Sequence, residues 1–118
     1  MKVKQLHLSL FALFMVTTVW AKVEINETNF LDKNFRNWVL GQSYGKDAKL
    51  TNREIRFVTS IDVNSNSIQN LKGIKHFTAL ESLTCAGNQL TLLDVSKNTK
   101  LVNQYCYQNQ IKGTAMDY

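Results

Sequence analysis

Cys85 and Cys106 are the two thiols of the chain, and His76 is the one imidazole beyond residue 21. A thiol acts as nucleophile or metal ligand when its pKa is lowered by a neighbouring base or positive charge. Here both cysteines fill an apolar slot of a repeated phrase, where cysteine behaves as a small hydrophobe, so inert, inward thiols are expected. His76 is expected on the surface. No Gly-rich phosphate loop or paired carboxylate motif occurs, and the nucleophile, base and orienting group of an active site do not assemble from the sequence. No catalytic residue and no cofactor is expected.

Calcium is the second chemistry to weigh. With Glu54 as its twelfth position, residues 43–54 resemble a degenerate EF-hand loop. A working loop needs oxygen ligands at positions 1, 3 and 5 and glycine at 6. The chain supplies Ser43, Gly45, Asp47 and Ala48 there, and Lys46 and Lys49 oppose a cation. The favoured reading is a metal-free helix-loop-helix; a calcium-responsive module is the alternative.

Recognition is the third. Asp62 and Asn64, Thr84, and Asn103, Tyr105 and Tyr107 fall at alternate positions of three predicted strands, in successive rows on one outward face. Tyrosine presents a large contact area with a polar tip and is enriched in binding surfaces.

The elements that position these residues follow from a repeat. Residues 58–68, 80–90 and 101–111 fit apolar-x-x-apolar-x-apolar-x-x-Asn-x-apolar at spacings of 22 and 21, with Gln104 breaking one apolar slot. A period of this length implies stacked coils that each bury an apolar edge on the next. Ile61, Val63, Leu83, Cys85 and Cys106 should point inward, with Leu93 and Val95 inward on the back. Asn66, Asn88 and Asn109 should form an amide ladder that satisfies backbone groups at the turn. Cys85 and Cys106 should be neighbours with roughly parallel side chains, which favours two free thiols over a disulfide.

Upstream, residues 22–57 read as helical. Asp32 caps a helix carrying Phe35, Trp38 and Val39 on one face and ending near Leu40 and Gly41, and Thr51 with Glu54 forms a capping box ahead of a short helix. These helices would cover the apolar end of the first coil. Residues 1–21 read as a signal peptide: Lys2 and Lys4 precede an apolar run too short to span a bilayer, and Val19 and Ala21 suit a cleavage site before Lys22. Without that leader, twelve basic residues face nine acidic ones, a formal charge of +3. The basic residues are scattered, and no nucleic-acid-binding module is recognisable.

The segment at residues 80–99, Leu-x-x-Leu-x-Cys-x-x-Asn-x-Leu-Thr-x-Leu-Asp-Val-Ser-Lys-Asn-Thr, resembles the secreted leucine-rich-repeat proteins of gut and oral anaerobic bacteria (the BspA-like family), with internalin-like adhesins as distant relatives. Residues 29–40 and 50–55 are similar to the helical region preceding such repeats. The resemblance implies exported or surface binding proteins.

The expected chain is thus an α/β leucine-rich-repeat solenoid of about 2.5 repeats with an N-terminal helical cap. Its divisions are a signal peptide at 1–21, a cap at 22–57, and repeats at 58–79, 80–100 and, incomplete, 101–118. It would be exported and non-enzymatic, without a metal site, a nucleic-acid partner or a transmembrane segment after signal cleavage. Its ligand would be a protein or glycan. A further repeat array or a partner would cover the C-terminal end, the alternative being a fragment of a longer adhesin with no independent function.

Overall fold

The computed structural model describes residues 22–114. The signal peptide read in residues 1–21 and the continuation read in residues 115–118 lie outside the described residues.

Three short strands, β3 (Ser60–Asp62), β4 (Ser82–Thr84) and β6 (Asn103–Tyr105), form a parallel sheet in the order β3-β4-β6. Ile61 faces Leu83, and Leu83 faces Gln104. That register is the sequence spacing of 22 and then 21, so each repeat lies directly over the next. Backbone bonds extend it past the strand ends: Val63 N–H donates to Thr84 O (2.8 Å), and Cys85 N–H donates to Tyr105 O (2.9 Å). On the back of the coils, β5 (Leu92–Leu93) pairs in parallel with β7 (Gly113–Thr114). The core between the faces holds Ile61, Val63, Leu83 and Cys85 from the sheet, and Leu71, Ile74, Phe77, Leu93 and Val95 from the back.

The region before the coils contains helices α1 (Lys33–Gly41) and α2 (Asn52–Phe57). Asp32 does two jobs. Its Oδ1 accepts the N–H groups of Asn34 (2.8 Å) and Phe35 (3.0 Å), capping α1, while Oδ2 accepts the N–H of Gln69 (2.8 Å) in the first coil. Asn34 Nδ2 donates to Ser67 O (2.9 Å) nearby. The apolar side of the junction is aromatic: the Phe30 ring lies 5.7 Å from Phe35 and 6.3 Å from Phe77, and Tyr44 meets Phe77 edge-on at 6.2 Å. Burial pushes the Tyr44 hydroxyl up to about 12.

This region is less helical than the sequence suggests. Two three-residue strands, β1 (Lys22–Glu24) and β2 (Lys49–Thr51), pair antiparallel, with Val23 opposite Leu50. Three residues are too few for an alternation to register against helical spacing; the partner 27 positions away defines the strand.

The capping box of α2 has both of its halves. Thr51 Oγ1 accepts the Glu54 N–H (3.1 Å), and Glu54 Oε1 accepts the Thr51 N–H (2.9 Å). Glu54 thus holds the helix start, and the EF-hand-like stretch runs through turns into β2 rather than forming one open loop. Thr51→Ala should lower stability by about 1 kcal/mol, the usual worth of an N-cap. Urea denaturation checks this, and a midpoint equal to that of the parent would dismiss the cap as a contributor.

Candidate interaction face and inward ladder

The outward face of the parallel sheet carries the candidate binding residues in register. Asp62, Thr84 and Tyr105 are aligned across β3, β4 and β6, and Ser60, Ser82 and Asn103 form the adjacent row. Exposure is lowest in the middle of the sheet: Asp62 is exposed and Thr84 half-buried, whereas Tyr105 and Tyr107 are 50% and 64% exposed. A hollow of about 300 Å³ is lined by Gln104, Tyr105, Cys106 and Tyr107.

Some candidates are partly committed to the scaffold. Asp62 Oδ1 accepts the Asn64 N–H (3.0 Å), and Asn64 Oδ1 accepts the Ala86 N–H (2.8 Å) one coil away. The third row, Asn64, Ala86 and Tyr107, is therefore not evenly outward. Ala86 is buried, because Asn64 leans across to its backbone and a methyl group is too small to emerge.

Two surfaces went unread in the sequence. Phe57, 79% exposed, lines a hollow with Ser60 and so stands beside the first row of the sheet. An isolated phenylalanine next to a helix end gives no signal of exposure. At the turn edge, Asn34, Gln69, Asn70, Gln89, Thr91 and Gln110 line an open polar hollow of about 960 Å³. The visible clue was a polar residue on either side of each repeat's inward Ile or Leu.

The ladder faces inward. Asn88, 8% exposed, accepts the N–H groups of Asn66 (2.9 Å) and Ile68 (3.0 Å) at Oδ1. Its Nδ2 donates to the carbonyls of Val63 (2.9 Å), Cys85 (2.9 Å) and Ala86 (3.2 Å). Asn109 repeats the arrangement one coil on: Oδ1 accepts the Leu90 N–H (3.0 Å), and Nδ2 donates to the carbonyls of Cys85 (2.9 Å), Cys106 (3.1 Å) and Tyr107 (3.3 Å). Asn66, with no coil before it, donates only to Asn64 O (2.7 Å). Asn88 and Asn109 thus each tie their own turn to the preceding one. A further buried amide, Asn98, bonds the carbonyls of Ile74 (2.9 Å) and Phe77 (3.0 Å) on the back.

Val63, Cys85 and Cys106 occupy matching positions of successive coils, and both cysteines are free thiols. Cys85 is buried, whereas Cys106 is half-buried. The Cys85 thiol donates to Cys106; this bond and burial push Cys85 up, while accepting the bond brings Cys106 down. Cys106 is therefore less enclosed than its slot suggests. His76 also departs from a surface role. Its ring is half-buried 5.7 Å from Phe30, and burial, with the charge of Lys75, lowers its pKa.

No family model matches the chain. Internalin J of Listeria monocytogenes is 36% identical over 50 residues, which cover 42% of this chain and 6% of that protein. Among solved structures, the functional domain of InlJ from Listeria monocytogenes, said to include a cysteine ladder, matches with a TM-score of 0.66 and 27% identity. That match covers 80% of this chain and 21% of the other. An internalin, inlF, from the same species matches with a TM-score of 0.62 and 27% identity, covering 79% and 28%. This chain thus spans under a third of each. Repeat register, amide ladder and these likenesses agree on an internalin-like leucine-rich-repeat chain.

Proposed function

We propose that this chain is an exported, non-catalytic interaction module that binds a protein or glycan through the outward face of β3, β4 and β6. The helices and the β1–β2 pair act as the cap that shields the first coil. The observation that carries the reading is the pair Tyr105 and Tyr107, half or more exposed beside Asn103 at one side of an otherwise small, polar face. Exposed aromatics cost a solenoid solubility and contribute nothing to its core, whereas at an interface they supply buried area at little entropic cost. The likeness to internalins supports an interaction role. Asp62, Thr84 and Asn103 supply polar contacts, and Phe57 adds an apolar one.

The double variant Tyr105→Ser, Tyr107→Ser is the test. Its stability should stay within about 0.5 kcal/mol of the parent, as for surface positions generally. Binding to glycan arrays or host-cell surface extracts should fall at least about tenfold, since interface aromatics are worth ~2 kcal/mol or more each when buried. Undiminished binding would remove the sheet face from consideration, and the polar hollow around Gln69, Gln89 and Gln110 would become the surface to test.

A further inference from the structure

The thiol pair sits where soft-metal chemistry becomes available. Cys85 and Cys106 share one inward column, and beyond Cys85 that column is closed by the apolar Val63. Among the described residues no three His, Cys, Asp or Glu side chains gather, so a tetrahedral zinc site has no ligand set. Two sulfurs alone suit a linear, two-coordinate ion, and thiolate ligands select soft cations of the copper(I) type. Strand spacing fits this geometry. Neighbouring strands lie about 4.8 Å apart, and two collinear metal–thiolate bonds of about 2.3 Å span nearly the same distance. A disulfide would instead require the Cβ atoms to approach to about 3.8 Å.

A second observation points to the same place. Gln104 occupies the inward position two residues before Cys106, and its Nε2 is buried without a hydrogen-bond partner. An orphaned buried N–H donor is costly in an apolar slot. It becomes favourable if negative charge develops on the same inward face of this coil. The hollow lined by Gln104, Tyr105, Cys106 and Tyr107 gives an ion access to Cys106.

We propose that Cys85 and Cys106 form a two-coordinate site for a soft monovalent cation of the copper(I) or silver(I) class, bridging the second and third coils. Binding breaks both S–H bonds and releases two protons to solvent. Two S–metal bonds form, leaving a bis-thiolate complex of charge −1 beside the Gln104 amide, with no change of oxidation state.

The experiment uses the full chain, reduced, freed of reductant and shown by thiol titration to hold two free thiols. Silver(I) is titrated in anaerobically. The expected result is one ion bound per chain, two protons released per ion, and two sulfur neighbours by X-ray absorption. Cys85→Val copies the residue that fills the same slot in the first coil and should leave the circular dichroism unchanged. Cys106→Ser, at the half-buried position, provides a second variant. Each should weaken silver binding roughly 100-fold or more, the loss expected when a two-point attachment becomes one. The proposal is overturned if either folded variant binds as tightly as the parent, if two ions bind per chain, or if the bound ion shows one sulfur neighbour.

Discussion

Asn88→Ala should abolish cooperative folding near room temperature, whereas Asn109→Ala should leave a folded chain of reduced stability and Asn66→Ala should cost little. The order follows from what each amide holds. Asn88 satisfies two backbone N–H groups and three carbonyls in the closed part of the stack. Alanine leaves the Asn66 and Ile68 N–H groups and the Val63 carbonyl without partners, while Cys85 O keeps Asn109 Nδ2 and Ala86 O keeps the Ser65 N–H. A buried unsatisfied group costs about 1–3 kcal/mol, so even partial rearrangement puts the loss at about 4–6 kcal/mol. A small domain has roughly 5–15 kcal/mol of stability, toward the lower end for a chain of this size. Asn109 serves a half-buried turn where water can replace some bonds, so a loss of about 2 kcal/mol is expected. Asn66 donates within its own turn, and its N–H stays bound to Asn88, so under about 1 kcal/mol is expected. Urea titrations of the three variants measure the order. Equal losses at Asn66 and Asn88 would mean that the amides act one by one rather than each securing the preceding coil.

The same asymmetry explains what was legible in the sequence. The strands of the parallel sheet, the ladder amides and the inward column are readable because a solenoid repeats its environment: residue types recurring at 22 and 21 carry three-dimensional information in one dimension. The first helix was equally readable, since Asp32, Phe35 and Val39 report locally on cap and buried face. What the sequence hid depends on single, non-repeated contacts. β1 and β2 exist because Val23 meets Leu50 across a long connection. Ala86 is buried because Asn64 happens to reach its N–H. Cys106 differs from Cys85 because it lies in the last described coil of the sheet, a property of position in the stack and not of the repeat. The outward face was legible as a row of positions, while the exposure of Tyr105 and Tyr107 was not.

Gly73→Ala should be strongly destabilising. Gly73 has φ +114, a backbone region that L side chains rarely occupy, so any replacement begins with strain. Space compounds the problem. An added Cβ would lie 2.4 Å from Phe30 Cδ1 and 2.7 Å from the carbonyl oxygen of Asn29. Phe30 cannot step aside, being fully buried among Phe35, His76 and Phe77. Backbone strain of about 1–3 kcal/mol and overpacking of about 1–3 kcal/mol together predict a loss of about 3–5 kcal/mol. Gly41→Ala is the control: nothing lies within 4 Å of its added Cβ, and the residue ends a helix, so the change should be neutral or slightly stabilising. The contrast tests more than packing. Gly73 lies in the first coil and Phe30 in the region before it, so their close approach requires the two to be docked as one body. If alanine at position 73 cost no more than alanine at 41 in thermal melts, Phe30 would be free to leave, and the N-terminal region would not shield the first coil. A large loss confined to Gly73 would instead mean that Phe30 stays packed against the first coil.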